Sequence, residues 1–402
     1  MRRSEGGRYT ANQGDDFLER FLSSDVLSES LHSQFPKLHY KMNIRSKLPM
    51  VAAGLLVVLW FPSTPIAQVQ AGPSDLPLDA ATRTQVIDAV LNRLNESYVL
   101  PEVAAQMEKS IRVRMQKGEY DKIQSSALLA QTLTAHLAEI AKDKHLGLGF
   151  SYDPISLSSE QKEPSPEDRE RLRRMVGSMN FGFEKVERLN GNIGYMELDG
   201  FVTNELGAET AIAAMQFLAN TDALIIDLRY NGGGVPGTAQ LIISYLFSET
   251  PVHYHSIYWR QGNRTEQFWT LPYVPGKRYV GKPVYVLMGK RTLSAPESFA
   301  YSLQAQKRAT VVGEVSAGGA NPGREFRINE HFQIFVPTGR AINPVTGTNW
   351  EGTGVTPDIE TTFKQSLKVA HLAALRKLLE TSTNERKKEQ LKSVIEEVEK
   401  QP

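Results

Sequence analysis

The chain has 402 residues, 46 Lys and Arg against 45 Asp and Glu, a formal net charge of +1 and no cysteine. That length exceeds what one compact domain usually takes, and the balanced charge makes no electrostatic case for nucleic acid or an acidic partner. Without cysteine there are no disulfides, thiol nucleophiles or cysteine metal sites, and the redox compartment stays open.

Residues 1–41 are polar, lack strong periodicity and read as a disordered or mis-assigned extension. Residues 42–71 read as a signal peptide. Arg45 and Lys47 supply a basic start, Leu48–Phe61 an apolar run, and Val69-Gln70-Ala71 a small-residue cleavage site. The run is shorter than the roughly 20 residues that span a bilayer. The expectation is an exported chain, periplasmic or extracellular, with its start near Met42. The alternative is a membrane anchor, with membrane association only if residues 48–61 are not cleaved.

Helical periodicity governs residues 78–142, which predict a small helical N-terminal domain. Val86, Val90, Leu94 and Tyr98 share one face. Pro101 opens a second helix carrying Val103, Met107, Ile111 and Met115, with Gly118 as its stop. Ser125 or Ser126 caps a third, with Leu129, Leu133, Leu137 and Ile140. Residues 143–178 follow as a linker with a strand over Leu146–Phe150 and a helix starting at Ser165. His145 stands at the join. A lone histidine is more often a surface or satisfied residue, yet histidine is also the commonest general base.

Residues 179–363 alternate strands with helices and predict a core domain built on a substantially parallel sheet. Asn190-Gly191 predicts a hairpin returning through Ile193–Leu198. Next come a helix over Glu209–Ala219, a buried strand over Ala223–Leu228 and a helix over Thr238–Phe247. Pro283–Gly289 is an apolar run that reads as a buried strand, and Thr310–Glu314 is another. His331–Arg340 reads as a strand and turn. Residues 364–402 predict one or two amphipathic helices, with Leu367, Leu372, Leu375 and Leu379 leading.

Three stretches invite chemistry. Ser294 falls at the N-cap of the helix after Pro283–Gly289, with Pro296 in the first turn and Glu297 three residues on. That pattern is a capping box, which needs no function. It equally puts a serine where unpaired helix-terminal N–H groups favour an oxyanion. Second, Gly232-x-Gly234-x-x-Gly237 lies between a strand and a helix, with Glu249 near the place of a ribose-binding acid. A nucleotide-dependent enzyme using the turn 232–237 is therefore one alternative. Bare N–H groups in such a turn suit a phosphate or a tetrahedral oxyanion alike. Third, His253 and His255 alternate and are expected on one strand face. Two ligands do not make a zinc site, so no metal and no cofactor is expected.

Three separated pieces together carry a resemblance. Asp227-Leu228-Arg229-Tyr230-Asn231-Gly232-Gly233-Gly234, Leu293-Ser294-Ala295-Pro296-Glu297 and Glu351-Gly352-Thr353-Gly354-Val355-Thr356-Pro357-Asp358 resemble, in order and spacing, the motifs of the tail-specific, or C-terminal-processing, serine peptidases. The similarity covers roughly Leu78 to Thr362. It implies an α/β fold with a crotonase/ClpP-like αβ core preceded by the small helical domain. One branch of the family uses a Ser/Lys dyad. Aligned on Gly313-Glu314, that lysine would fall at Gly319, and Val315–Gly319 holds none. Asp143-Lys144-His145 instead resembles the Asp-x-His segment of the branch containing the tricorn core peptidase and interphotoreceptor retinoid-binding protein. Where the tricorn enzyme has a serine before its histidine, this chain has Lys144. No room remains between Phe150 and Phe181 for the PDZ module of many relatives.

The resemblance implies a serine-type peptidase acting on peptides or unfolded proteins, with Ser294 as nucleophile and His145 as base. Glu351 is the candidate acid. Backbone N–H groups of Gly233 and Ala295 would form the oxyanion hole. Glu297 would fix the serine helix, and Arg229 and Asn231 would brace the glycine turn. The retinoid-binding relatives also leave open a non-catalytic ligand-binding role for the same fold.

Overall fold

The computed structural model describes residues 75–155 and 165–401. The extension and signal peptide expected over residues 1–71 lie outside the described residues. Among the described residues no helix is long and apolar enough to cross a membrane.

Three helices come first: α1 (Ala80–Ser97), α2 (Pro101–Gln116) and α3 (Ser126–Ala141). Asp79 caps α1 by accepting from Thr82 N at 2.7 Å, and Ser125 caps α3 by accepting from Leu128 N at 2.9 Å. Pro101 takes the first turn of α2, where its missing N–H costs nothing. Val90, Leu94, Met107, Ile111, Leu129 and Leu137 form one buried cluster. Lys142 then turns left-handed at φ 52° and ends α3. Next are β1 (Gly147–Phe150) and α4 (Pro166–Ser178), a helix that buries none of its residues.

The α/β part begins with the hairpin β2 (Phe183–Leu189) and β3 (Ile193–Leu198). It continues through α5 (Asn204–Leu218), β4 (Ala223–Asp227), α6 (Pro236–Leu246), β5 (His253–Trp259), β6 (Arg264–Trp269), β7 (Val284–Met288), α7 (Ala295–Ala305) and β8 (Thr310–Gly313). Then come β9 (Gly323–Arg327), β10 (Phe332–Pro337), β11 (Gly339–Ile342) and β12 (Ile359–Glu360), closed by α8 (Ser366–Thr381) and α9 (Glu385–Lys400).

Six strands form the central sheet in the order β12-β8-β7-β4-β3-β2, parallel throughout except at the β2–β3 hairpin. Its inner strands β3, β4, β7 and β8 are buried on both faces, as parallel strands covered by helices must be. Leu224, Ile226, Val284 and Val286 pack against α5, α6 and α7. Ala223, Ile225, Tyr285 and Leu287 pack against α8 and α9. Two smaller sheets have the orders β1-β10-β9 and β11-β5-β6. Phe326, Phe332, Ile334 and Val336 of β9 and β10 join the apolar cluster of α1–α3.

Packing moved two expectations. Helix α5 starts at Asn204, not Glu209, although Gly207 lies in its first turn. A Cβ at Gly207 would stand 2.5 Å from Val202 Cγ2 and 2.9 Å from Thr238 Cγ2, so close contact with α6 overrides low helix propensity. His253 and His255 do not behave as a same-face pair. A β-bulge lies between them, which breaks the two-residue alternation.

Leu375 is fully buried between α8 and the sheet face remote from Ser294. Leu375→Ala is expected to cost about 2–5 kcal/mol of stability by lost burial and residual cavity. Denaturant unfolding measures it, with the midpoint falling and the slope unchanged.

Candidate active site

Strand β7 delivers the chain to the loop Gly289–Leu293, which hydrogen bonds pin to the end of β4. Thr292 Oγ1 donates to Leu228 O at 2.8 Å and accepts from Gly289 N at 3.0 Å. Leu293 N donates to Asn231 O at 3.3 Å. Ser294 follows at φ 71° and ψ −117°, a conformation that L residues adopt only when their surroundings hold them there. What holds it is Glu297. Its carboxylate is completely buried and accepts from Ser294 N at 2.7 Å, Ser316 Oγ at 2.5 Å, Gly318 N at 2.7 Å and Gly319 N at 3.0 Å. Ser316 Oγ in turn accepts from Val355 N at 2.7 Å. One side chain thus joins the start of α7 to the loop after β8 and to the closing motif.

The N–H of Ala295 has no hydrogen-bond partner among the described residues. Gly233 was the expected second donor at this point, but its N–H is committed to Asn231 Oδ1 at 3.0 Å. Among the described residues neither Gly232 N–H nor Gly234 N–H has a hydrogen-bond partner, and of the two glycines Gly234 lines the same cavity as Ser294 and Ala295. Asn231 does brace the glycine turn. Arg229 does not: its guanidinium grips Asp227 (Nη2–Oδ2 2.6 Å) and donates to Phe363 O at 2.6 Å, tying the end of β4 to the chain before α8.

The turn's glycines also answer the dinucleotide alternative. A Cβ at Gly234 would stand 2.1 Å from Phe201 O, and one at Gly237 2.6 Å from Asn204 N. Both are glycines because residues 201–204 press against the turn. Glu249 lies exposed in the loop beyond α6. The cavity here is about 120 Å³, well below the roughly 300–1,000 Å³ of small-molecule sites. Nothing in this geometry favours a nucleotide.

His145 arrives from the other side. After Lys142 the chain passes through buried Asp143, whose Oδ1 accepts from His145 N at 3.0 Å. Asp143 Oδ2 also accepts from Tyr98 OH at 3.2 Å and Asn321 Nδ2 at 3.1 Å. The imidazole lies against Gly319: a Cβ there would stand 2.8 Å from His145 Cε1 and 2.6 Å from Leu293 Cδ1. The His145 ring therefore fills the space that a side chain at position 319 would claim. It makes no hydrogen bond to Ser294 Oγ, and its buried Nδ1 has no partner among the described residues. Burial holds its pKa below the ordinary histidine value, opposed by the charges of Asp143 and Glu297.

Glu351 is beside His145. The ligating atoms of Asp143, His145 and Glu351 lie within 4.8 Å of one another. Glu351 Oε2 accepts from Ala320 N at 2.6 Å and Asn321 N at 2.8 Å, and Oε1 from Lys144 N at 3.2 Å. Burial, then the nearby Asp143 charge, pushes its pKa up to about 7 despite those N–H groups. An imidazole and two carboxylates are donor types that suit a divalent cation, but each carboxylate here already accepts three hydrogen bonds. The arrangement places two hydrogen-bonded carboxylates beside an imidazole.

Sequence reading missed Asp143 as a site residue, although it stands two positions before His145. Tyr98 was read as helix core, and only the fold shows its hydroxyl reaching Asp143. Ser316 and Asn321 carry no sequence signal.

Residues 192–361 match the model of peptidase family S41, and residues 79–180 match the N-terminal domain of that peptidase in eukaryotic IRBP. A carboxy-terminal-processing protease of Bartonella bacilliformis is 28% identical over 176 residues, 43% of this chain and 39% of the relative. A carboxyl-terminal-processing protease of Synechocystis is 34% identical over 154 residues, 38% of this chain and 34% of the relative. The chain thus matches little more than a third of either relative's length. A solved structure of a candidate peptidase from Parabacteroides merdae superposes with a TM-score of 0.51 at 18% identity, covering 71% of this chain and 92% of that one. At that identity the likeness concerns the fold, an α/β core preceded by helices.

Glu297→Ala would leave the N–H groups of Ser294, Gly318 and Gly319 without their acceptor. The expected loss is at least about 3 kcal/mol, since each of the three unsatisfied buried donors costs about 1–3 kcal/mol. Chemical denaturation measures it, and Glu297→Gln, which keeps one acceptor oxygen, is expected to lose less.

Proposed function

The chain belongs to the peptidase S41 family, and on that premise we propose that it is a serine-type peptidase cleaving exported proteins or peptides through an acyl-enzyme on Ser294. The observation that carries this reading is the strained φ of 71° at Ser294, at the N-terminus of a helix and beside a cavity. Strain of that kind costs of order 1–3 kcal/mol and persists where function uses it.

In the proposed reaction Ser294 Oγ attacks a peptide carbonyl carbon. His145 takes the hydroxyl proton and returns it to the leaving amine, and water then releases the acyl group by the same route. The N–H groups of Ala295 and Gly234 receive the oxyanion, with the helix N-terminus adding its positive end. Asp143 and Glu351, whose carboxylates lie within 4.8 Å of the ring nitrogen, offset the charge the imidazole gains. The His145–Ser294 hydrogen bond forms as substrate closes the site, since such bonds are often long without substrate. The contact of His145 with Gly319 supports it as base, because a base on residue 319 and one on residue 145 would need the same space. Export through the signal peptide of residues 42–71 fits proteins or peptides outside the cytosol as substrates.

Ser294→Ala and His145→Ala are each expected to lower peptide cleavage by about 10³-fold or more while leaving the fold intact. Mass spectrometry of a digested peptide library on the chain from Gly72 onward measures this. Saturable ligand uptake without cleavage by the parent chain would instead point to a binding protein.

Two groups set the acid limb of the pH profile. His145 must be neutral to accept a proton, and Glu351 must be ionised to steady the imidazolium. Glu351, with its pKa pushed up to about 7, protonates first as pH falls. Accordingly kcat/KM is expected to rise with pH through about 7 and then level. Glu351→Gln should move that limb to lower pH, toward the depressed value of His145. An unmoved limb removes Glu351 from the proposal.

A further inference from the structure

The cavity beside Ser294 contains a histidine that the proposed chemistry does not use. Its lining is mainly apolar, with Ile243, Ile257, Phe268 and Trp350 among its walls, and His255 is set into it. His255 is only 7% exposed. Its ring lies 5.6 Å from that of Phe268 and 6.3 Å from that of Trp350. Nδ1 is fully covered and has no hydrogen-bond partner among the described residues, whereas Nε2, which also makes no hydrogen bond to them, is not fully covered. His253, its neighbour across the bulge, is already satisfied: it stacks on Trp269 at 4.8 Å, and Nε2 meets Ser256 Oγ at 2.8 Å.

An unpartnered imidazole is a poor choice for an apolar wall. Leaving such a group unsatisfied costs about 1–3 kcal/mol, which a leucine or phenylalanine would avoid. Nε2, the nitrogen that is not fully covered, is the one an occupant of the cavity can partner. The occupant's size is bounded by about 120 Å³, room for one compact side chain. Its charge is bounded too: burial pushes the His255 pKa down to about 4, so the ring is neutral and offers a charged side chain no counter-ion. A neutral imidazole nitrogen is a donor in one tautomer and an acceptor in the other, and a hydroxyl group serves both.

We propose that His255 makes this cavity selective for a small side chain bearing a hydroxyl, threonine or serine, on the residue whose carbonyl Ser294 attacks. The selection rests on the serine-peptidase reading. Methyl and methylene groups lie on the apolar wall, and the hydroxyl meets Nε2. Threonine and valine have nearly the same shape, so an apolar cavity would favour valine, and the histidine reverses that order.

The test uses peptide pairs that differ only by Thr against Val, or Ser against Ala, at that residue. In the parent chain the Thr:Val ratio of kcat/KM is expected at or above one. In His255→Phe the ratio is expected to fall at least tenfold, and His255→Gln, which keeps a hydrogen-bonding group, should recover part of it. The ratio is internal to each variant, so a partly unfolded preparation does not distort it. Equal ratios in parent and His255→Phe overturn the proposal. If the parent cleaves neither peptide, the serine-peptidase reading fails instead. Calorimetry of peptides ending in Thr or Val on Ser294→Ala then reads the cavity directly, and tighter binding of the valine peptide overturns the selection by itself.

Discussion

The buried carboxylate of Glu297 is the constraint on which the site depends. A carboxylate taken out of water must be given donors, and here four come from two separate stretches of chain: Ser294 at the start of α7, and Ser316, Gly318 and Gly319 in the loop after β8. Because all four converge on one group, the N-terminus of α7 cannot shift without unpairing the loop after β8. That convergence over-determines Ser294, which is how a serine stays at a φ of 71°. The capping box and the proposed nucleophile are thus one device. The cap supplies the geometry, and the strain it maintains leaves the serine beside the cavity.

The second half of the site is delivered by the helical part of the chain. The α1–α3 cluster is continuous with β9 and β10, so the helices are anchored to the strands that follow the 318–321 loop. Lys142 ends α3 in a left-handed turn, and Asp143 is fastened by Tyr98 of the first helical connection and by Asn321. His145 thereby reaches the empty space above Gly319. A side chain there would collide with the ring, so a glycine at 319 and a histidine at 145 are one structural solution. Burial disfavours the charged form of that imidazole and, at Glu351 beside it, pushes the carboxyl pKa up to about 7.

The glycine turn shows how one local pattern takes its meaning from its surroundings. Gly234 and Gly237 are required by the close pass of residues 201–204, whatever binds beyond them. The same compression directs the Gly233 N–H to Asn231 and leaves that of Gly234 free on the cavity side. A dinucleotide-like spacing therefore arises here from chain packing.

Much of this was legible in the sequence. The helical faces of Val86–Tyr98 and Leu129–Leu137, the Asn190-Gly191 hairpin and the apolar runs of β4 and β7 follow from periodicity and turn chemistry, which are local. So does the N-cap at Ser294, and the family's motifs brought Ser294, His145 and Glu351 into one hypothesis. The small flanking sheets were not legible, because β6, β9 and β11 carry polar residues in place of an apolar run, and β1 and β11 pair with strands distant in the chain. The donors around Glu297, the fastening of Asp143 by Tyr98, and the unpartnered ring of His255 in the cavity wall were decided only by tertiary structure. Each depends on which buried polar groups meet across the fold, and sequence spacing carries no record of that.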